Sequence, residues 1–283
     1  MPKSMTQPEK LQVKAVRILQ ITDPHLFGDP NQTLLNVNTT ESLQGVVNYI
    51  KTHEKAFDLV LATGDITQDE SEQSYQNFLD LLADINAPLI GLPGNHDDND
   101  QLKAVWGDRL QTIYDIGRWR LVLLDSTIPG SNAGHLDNSQ FQLLEDAVAQ
   151  APDRHVLVAM HHNPVPVGSQ WLDTMFIDNG AKLLRLLDKL PQVKALLWGH
   201  VHQEFDDDYQ RSAANTSGTS QAVRLLATPS SCVQFKPNTQ QFALDTLDPG
   251  YRVLELADDG QIKTDVIRVP NLNLQPDTNS AGY

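Results

Sequence analysis

The chain contains little cysteine and little positive charge. Its 283 residues include one cysteine, Cys232, and 21 basic against 36 acidic side chains, for a formal net charge of −15. A single cysteine excludes an internal disulfide framework, which makes a reducing compartment the simplest setting. Scarce lysine and arginine argue against a nucleic acid partner, because proteins bind nucleic acids largely by neutralising phosphates. A small anionic ligand is compatible with this charge, since bound divalent cations reverse the local field of a cleft.

Long hydrophobic runs are also missing. No stretch reaches the roughly 18 consecutive apolar residues of a membrane-spanning helix, so no membrane partner is expected. Segment 1–14 is polar and lacks the apolar stretch of a signal peptide. We interpret it as an N-terminal extension and expect a cytoplasmic protein. The sequence leaves open whether the chain is a monomer or a dimer.

The first third of the chain alternates predicted strands and helices. Apolar runs at Val16–Thr22 and Phe57–Ala62 predict buried strands, and the apolar spacing within Asn38–His53 predicts an amphipathic helix between them. A second helix around Tyr75–Leu82 precedes the strand Pro88–Leu92. This order is a βαβαβ unit with parallel strands.

Further along, the alternation becomes less regular and strands predominate. Because two sheets are implied, we predict an α/β (α+β) fold of four layers, αββα, in which two mixed sheets form a sandwich with helices outside. The domain is expected to span 15–270. The remaining expected elements are the strands Ile113–Ile116 and Arg120–Leu124, a helix over Asn138–Gln150, the strand Val156–Met160, a helix over Leu183–Leu187, and the strands Ala195–Trp198, Val223–Ala227, Tyr251–Leu256 and Gln261–Val269, the last two joined by the hairpin turn Asp259-Gly260.

Two segments carry no regular pattern. Arg211–Gln221 is rich in serine, alanine and threonine and is predicted to be a flexible loop. The C-terminal tail, 271–283, is predicted either to be disordered or to lie across the domain.

Five short polar motifs directly follow predicted strands and contain six of the nine histidines. The carboxyl ends of strands line the ligand-binding edge of α/β sheets, so we expect the motifs to meet there. Aspartate, asparagine and histidine without thiolate are the ligands of borderline-to-hard divalent metals. The motifs are Asp23-Pro24-His25, Gly64-Asp65, Gly94-Asn95-His96-Asp97, His161-His162 and Gly199-His200-Val201-His202.

The two earliest motifs are weak when taken alone. Asp23 and His25 are two residues apart, and in an extended chain such residues project to the same side, where they can bind one ion. A turn aspartate followed by a surface histidine would explain them equally well. Asp65 could be only the N-cap of a coming helix. Its position beside the first strand, however, would let its carboxylate bridge two ions about 3.5–4 Å apart.

Gly94-Asn95-His96-Asp97 is the most specific of the motifs. Gly94 permits a turn that brings the backbone close to a site, and Asn95 offers a neutral amide oxygen to a metal. Asp97 or Asp98 could cap the following helix, but that role leaves His96 unexplained.

The histidine motifs supply further ligands. His200 and His202 repeat the two-residue spacing and could serve two ions, and His161 ends the preceding strand. His162 points elsewhere on an extended chain, so it is either a residue on the substrate side or a structural residue.

Taken in order from Asp23 to His202, the motifs resemble those of the calcineurin-like metallophosphoesterases. The resemblance implies a β-sandwich flanked by helices and a pair of divalent ions, for which nitrogen and oxygen ligands suit Fe, Mn or Zn. It places Asp23, His25, Asp65 and His202 on one ion. It places Asp65, Asn95, His161 and His200 on the other, with Asp65 bridging the two.

The segment Leu225–Pro237 and the ending near Gln275-Pro276-Asp277 are similar, more narrowly, to class III cyclic AMP phosphodiesterases. This similarity implies hydrolysis of 3′,5′-cyclic AMP to 5′-AMP. A hydroxide shared by the two ions would be the nucleophile, because the ions lower the pKa of bound water. His96 would be the general acid that protonates the leaving 3′-oxygen. The full substrate-binding set expected is His25, Asp65, Asn95, His96, His162, His202 and Trp171.

One position departs from the pattern of the family. The phosphatase motif G-D-x-x-D has a second aspartate that can orient the catalytic histidine. Gln68 stands at that position here, and Asp69 follows one residue later. Whether Asp69 or another group supports His96 is left open by the sequence.

The loop Asn163–Asp178 is predicted to cover the site. It follows the His161-His162 motif directly and contains a large aromatic residue where loops usually carry polar ones. Trp171 is therefore a candidate wall for the purine, or else a residue packed in the core.

Two other functions are compatible with these observations. The first is a metal-dependent phosphodiesterase or phosphomonoesterase of broader specificity, because fold and metals do not determine the substrate. The second is a non-catalytic interaction module that has kept the fold.

Overall fold

The computed structural model describes residues 15–212 and 222–282. The predicted N-terminal extension, 1–14, and most of the loop predicted at Arg211–Gln221 lie outside the described residues. Within the described ranges, no helix combines the length and the apolar character that crossing a bilayer requires.

A mixed sheet of five strands forms one half of the centre. Its strands are β1 (Ala15–Ile21), β4 (Leu59–Thr63), β5 (Leu89–Leu92), β14 (Gly250–Ala257) and β15 (Ile262–Arg268). They are arranged in the order β15-β14-β1-β4-β5. Parallel pairs join β1 to β4 and β4 to β5, whereas β14 is antiparallel to both of its neighbours. The expected βαβαβ unit therefore ends at one edge of this sheet.

A second mixed sheet, of six strands, forms the other half. Its strands are β6 (Ile113–Ile116), β7 (Trp119–Leu123), β8 (His155–Ala159), β9 (Val193–Trp198), β10 (Phe205–Gln210) and β11 (Ala222–Ala227), in the order β10-β11-β9-β8-β7-β6. The central strands β7, β8, β9 and β11 run parallel. Two further pairs are β2 (Thr33–Leu34) with β3 (Val37–Asn38) and β12 (Gln234–Phe235) with β13 (Leu244–Asp245).

Helices cover both outer faces of the sandwich. They are α1 (Thr39–His53), α2 (Glu72–Leu82), α3 (Asn99–Trp106), α4 (Asn138–Ala149) and α5 (Gly180–Leu187), with 3₁₀ turns at Gly107–Arg109 and Leu172–Thr174. Helix α1 begins directly after its N-cap Asn38, whose side chain accepts a hydrogen bond from the Glu41 backbone N–H. Its buried face contains Leu43, Val46 and Ile50.

Three apolar layers hold these elements together. Leu19 and Ile21 on one face of β1 belong to the layer that includes residues of α1, α2 and α3. Ile18 on the opposite face lies between the two sheets, in the same layer as Leu157 of β8. The third layer joins the six-stranded sheet to α4 and α5. The arrangement is αββα, so the predicted fold class is confirmed.

Strand β10 was not predicted from the sequence. It reads Phe-Asp-Asp-Asp-Tyr-Gln and lacks the apolar run of a buried strand. It forms because it pairs antiparallel with β11 at the edge of the sheet, where side chains reach solvent. Charged side chains on an edge strand discourage pairing with other chains, which explains the three aspartates of β10.

The described part of the C-terminal tail lies across the domain. The Asn36 side chain donates a hydrogen bond to the Gln275 carbonyl oxygen over 2.8 Å, and the Asp277 N–H donates to the Leu35 carbonyl oxygen over 2.9 Å. Leu272 packs so closely on α1 that a Cβ at Gly45 would lie 2.5 Å from it. These contacts support the second of the two alternatives for the tail.

Candidate metal centre

All five polar motifs lie in loops that directly follow strands. The loops after β1, β4 and β5 leave neighbouring parallel strands of one sheet, and those after β8 and β9 leave neighbouring strands of the other. The structure brings the predicted ligands from both sheets together at one edge of the sandwich. The expected meeting of the motifs is therefore observed.

The first group of ligands contains two carboxylates and two imidazoles. Asp23, His25, Asp65 and His202 are all buried, and each offers a donor atom within 4.8 Å of the others. His202 Nε2 lies 3.4 Å from an Asp23 oxygen, and His25 Nε2 lies 3.8 Å from Asp65 Oδ2. This is the set predicted for one ion.

The second group lies on the other side of Asp65. His161 Nε2 is 3.3 Å from Asp65 Oδ1 and 3.1 Å from Asn95 Oδ1. The two oxygens of Asp65 therefore face different groups, Oδ2 towards His25 and Oδ1 towards His161. This orientation fits the predicted bridging role. His200 completes the group, with its ring centroid 5.1 Å from that of His161.

Backbone and side-chain oxygens orient three of the imidazoles. His161 Nδ1 lies 2.8 Å from the Thr63 carbonyl oxygen, and His202 Nδ1 lies 2.9 Å from that of Val233. His25 Nδ1 faces Gln68 Oε1 at 2.9 Å. Because these oxygens accept hydrogen bonds, each Nδ1 carries a proton, which leaves Nε2 as the ring nitrogen that faces the site.

The donor atoms fit a pair of divalent cations. His25 Nε2 and His202 Nε2 face each other at 3.1 Å, so two lone pairs converge on one space. His200 Nε2 is buried, and no hydrogen-bond partner reaches it in the part of the chain that the structure describes. A cation bound by His25 and His202 removes the repulsion between their two lone pairs. A cation bound by His200 supplies the partner that its Nε2 lacks. The nitrogen and oxygen donors suit first-row divalent metals.

Burial and the Asp65 carboxylate act in opposite directions on the imidazoles of the site. Burial lowers the pKa of His25 and of His200 well below the usual value. Burial also lowers the pKa of His161, but the Asp65 carboxylate outweighs that effect and raises the pKa to about 9. Metal binding requires a neutral imidazole, so a cation competes with a proton at His161.

The ligand loops have an unusual backbone conformation. Asp23, His25, Asp65, His200 and His202 all have positive φ angles, between 48° and 64°. The extended geometry assumed from the two-residue spacing is therefore wrong, because these residues follow the strands in the left-handed region. Such conformations cost free energy and persist where the surroundings determine them.

Hydrogen bonds between the loops hold this conformation. The Asp23 N–H donates to the Gly64 carbonyl oxygen, and the His25 N–H to that of Asp65, each over 3.1 Å. The His200 N–H donates to Asp23 Oδ1 over 3.0 Å, which joins the loop after β9 to the loop after β1.

Two motif glycines are required by the close approach of these loops. A Cβ at Gly94 would lie 2.2 Å from Asp65 Oδ1. Gly64 has a φ of 92°, and a Cβ there would lie 2.5 Å from His161 Nδ1. Any larger residue at either position would displace a predicted metal ligand.

The two aspartates that follow His96 have different roles. Asp98 is the N-cap of α3, and its side chain accepts from the Gln101 N–H over 2.8 Å. Asp97 instead accepts from the Gly94 N–H over 2.8 Å and from the Ile66 N–H over 3.0 Å. It thereby joins the turn that contains His96 to the loop that contains Asp65.

Gln68 and Asp69 are also distinguished by their contacts. Gln68 accepts from His25, so it orients a metal ligand. The Asp69 carboxylate accepts from the Gly28 N–H over 2.8 Å and from the Ser71 N–H over 3.1 Å, and these bonds organise the loop before α2. His96 is positioned by its own N–H, which donates to Asp65 Oδ1 over 2.9 Å, and its ring packs edge-on against His25 with centroids 4.9 Å apart.

His162 is completely buried and takes part in a polar contact inside the protein. Its Nδ1 lies 2.9 Å from the Ser126 hydroxyl, and its ring centroid lies 4.6 Å from that of His200. Burial lowers its pKa to about 3. The side chain does not reach the surface, and a part for His162 in substrate binding stays a prediction. Its donor atom also lies within 4.8 Å of those of His161 and His200.

A cavity of about 200 Å³ opens beside the two ligand groups. Trp171 forms part of its wall and packs edge-on against Phe235, with ring centroids 5.0 Å apart. Phe235 in turn stacks on the His202 ring at 4.0 Å. The lining residues are Asp65, Asn95, His96, Asn132, Trp171, Leu172, Met175, His200, Phe235, Phe242 and Gly282.

Phe235 and Phe242 were not predicted as site residues. Phe235 lies within the segment Leu225–Pro237, which carried the narrower resemblance, but no spacing rule connects it to the metal motifs. Only the mutual edge-on packing of Trp171, Phe235 and Phe242 reveals the aromatic wall.

Comparison with known proteins agrees with this geometry. A family model described as calcineurin-like phosphoesterase matches residues 16–204. The chain is 44% identical over 272 residues to the 3′,5′-cyclic adenosine monophosphate phosphodiesterase CpdA of Escherichia coli (strain K12), with 95% of both chains covered. It is 44% identical over 271 residues to the protein of the same name from Pseudomonas aeruginosa, covering 95% of this chain and 96% of that one.

A solved structure also shares the fold. A dimetal phosphatase from Danio rerio superposes with a TM-score of 0.57 at 14% sequence identity, covering 90% of this chain and 99% of that chain. The chain belongs to the calcineurin-like phosphoesterase family, as the order of its motifs predicted, and it is a phosphoester hydrolase. The alternative of a non-catalytic module is disfavoured, because every predicted ligand lies in one of the two groups.

We predict that Asp65→Ala removes metal from both positions, whereas Asn95→Ala weakens mainly one. Asp65 directs one oxygen to each group, and among the described ligands only this residue does so. Elemental analysis of gel-filtered protein should give about two ions per chain for the wild type, about one for Asn95→Ala and close to none for Asp65→Ala. Two tightly held ions in Asp65→Ala would refute the bridging assignment.

Proposed function

We propose that this chain hydrolyses 3′,5′-cyclic AMP to 5′-AMP. The observation that carries the proposal is the cavity in which residues of both ligand groups, His96 and an aromatic wall lie side by side. The relatives described above support the substrate, since two of them carry the name of cyclic AMP phosphodiesterases and match over almost their full length.

Two divalent ions, which we propose to be Fe, Mn or Zn, fit the residues at this site. Asp23, His25, Asp65 and His202 would hold one of them. Asp65, Asn95, His161 and His200 would hold the other. When bound, such ions supply a water of lowered pKa as nucleophile and positive charge for the phosphoryl oxygens.

His96 is the proposed general acid. It lies half-buried at the cavity, and its backbone is tied to Asp65. In hydrolysis of a cyclic diester, the bond between phosphorus and the 3′-oxygen breaks and the oxygen leaves as an alkoxide. An alkoxide is a poor leaving group, so a proton donated by the His96 imidazolium to that oxygen lowers the barrier.

The substrate-binding residues divide into two sets. Asp65, Asn95 and His96 line the cavity and can contact the phosphate of a bound nucleotide directly. His25 and His202 are buried and do not line it. We therefore propose that His25 and His202 act on the substrate only through the metal that they hold.

The aromatic wall is the proposed site of the base. Trp171 is held by a hydrogen bond from its Nε1–H to the Thr239 hydroxyl over 3.2 Å and by edge-on contacts with Phe235 and Phe242. An aromatic face fixed in this way can stack on a purine, an interaction worth about 1–3 kcal/mol per base.

We predict that His96→Ala keeps both metals and lowers kcat for cyclic AMP by about 10²-fold or more, because a general acid is removed. The loss should be smaller for bis(4-nitrophenyl) phosphate, whose leaving group needs little protonation. His53→Ala, which changes an exposed histidine of α1, is the matched control and should leave kcat unchanged. An equal loss on both substrates would instead indicate that His96 positions the phosphate.

We predict that Trp171→Ala raises the KM for cyclic AMP about tenfold, because a stacking surface is lost. The KM for bis(4-nitrophenyl) phosphate, which has no purine, serves as the internal control and should change much less. Trp171→Phe keeps an aromatic face and should recover most of the affinity. An unchanged KM for cyclic AMP in Trp171→Ala would exclude this residue from the base site.

We predict that kcat/KM is highest for cyclic AMP within a panel of cyclic AMP, cyclic GMP, a 2′,3′-cyclic nucleotide, 5′-AMP and single-stranded DNA. The diester preference follows from the proposed role of His96, and the net charge of −15 disfavours a polynucleotide on the surface. Purified chain with added Mn²⁺, with a chelator-treated control, provides the measurement. A higher value for 5′-AMP or DNA would overturn the assignment of the substrate while leaving the metal centre intact.

A further inference from the structure

The apolar layer between the two sheets becomes polar just below the metal ligands. The face of β1 that points into this layer carries Val16 and Ile18, which are apolar, and then Gln20. Gln20 is fully buried. A buried side-chain amide costs free energy unless its hydrogen bonds are made, so its presence here calls for a physical reason.

Gln20 forms hydrogen bonds with three other segments of the sandwich. Its Nε2 donates to the Thr63 hydroxyl on β4 over 2.9 Å and to the Trp198 carbonyl oxygen on β9 over 3.2 Å. Its Oε1 accepts from the hydroxyl of Thr228, which follows β11. One side chain of the five-stranded sheet is thereby joined to a neighbouring strand and to two segments of the six-stranded sheet.

A buried arginine determines the orientation of the amide. Arg252 Nε donates to the Thr228 hydroxyl over 3.1 Å, and Arg252 Nη2 donates to the Ala227 carbonyl oxygen over 2.6 Å. A guanidinium can only donate, so Thr228 accepts from it and uses its own proton for Gln20 Oε1. The amide nitrogen must then face Thr63 and Trp198.

Each segment that Gln20 contacts leads directly to a metal ligand or to the support of one. Thr63 precedes Gly64-Asp65, and its carbonyl oxygen accepts from His161 Nδ1. Trp198 precedes Gly199-His200. Thr228 begins the segment that ends at Val233, whose carbonyl oxygen accepts from His202 Nδ1. Gln20 itself stands three residues before Asp23.

We propose that Gln20 is a positioning residue of the metal centre, which sets the separation between the ligands that come from the two sheets. Apolar packing between sheets is non-directional and tolerates small shifts of one sheet against the other. Hydrogen bonds from one amide to both sheets restrict such shifts at the edge where the ligands meet. The inference rests on the metal centre of the proposed function.

The test measures metal affinity in Gln20→Met, which keeps a similar volume and loses the amide. Mn²⁺ is titrated into metal-free protein in competition with a chromophoric chelator, so that no catalytic turnover is needed. We expect the affinity for Mn²⁺ to fall about tenfold or more, as for other changes behind metal ligands. Thermal unfolding of the metal-free proteins measures stability separately.

Ile18→Val is the matched control, since Ile18 lies two residues earlier on the same face of β1. It should lower the unfolding temperature and leave Mn²⁺ affinity within about twofold of the wild type. A general loss of stability would weaken metal binding equally in both variants. That result would overturn the proposal.

Thr228→Val provides a second variant that does not depend on the folding of Gln20→Met. It removes the hydroxyl that Gln20 Oε1 accepts from, so it should also weaken Mn²⁺ binding, and its effect should not add to that of Gln20→Met. Mn²⁺ affinities within twofold of the wild type for both variants would overturn the proposal. If the wild type itself bound no Mn²⁺ or Zn²⁺, the metal centre of the proposed function would fail as well.

Discussion

The burial of two carboxylates among imidazoles is the constraint on which the rest of this structure depends. Asp23 and Asp65 are 0% and 1% exposed. Removing a carboxylate from water costs on the order of several kcal/mol unless charge and hydrogen bonds compensate. Here backbone N–H groups of His200 and His96 donate to them, and imidazole nitrogens lie around them. A pair of divalent cations is the compensation that this donor set fits.

The surrounding fold serves to bring these ligands together and to hold them. Parallel strands of two sheets end at the same edge, and ligands from each sheet meet between them. The left-handed backbone at five ligand residues and the close approach of Gly64 and Gly94 are tolerated because hydrogen bonds between the loops determine both. The polar layer around Gln20 joins the sheets below this edge.

Much of this was predictable from sequence, because the motifs are local and the strands that precede them are apolar. The αββα fold and the meeting of the five motifs follow from strand order and residue type. So does the position of Asp65 between the two ligand groups, with one carboxylate oxygen towards each. The extended geometry at Asp23 and His25 was wrong, since a two-residue spacing does not reveal a positive φ angle. The burial of His162, the aromatic wall and the contacts of Gln20 depend on segments that are distant in the chain. No local sequence pattern predicts them.

The central claim is that one carboxylate joins two metal positions formed by both sheets. Anomalous diffraction at the manganese edge, from crystals of the chain grown with Mn²⁺, tests it most directly. The account predicts two peaks per chain, both in contact with Asp65. One peak should also contact Asp23, His25 and His202, and the other Asn95, His161 and His200. A single peak, or a second one away from Asp65, would contradict the account.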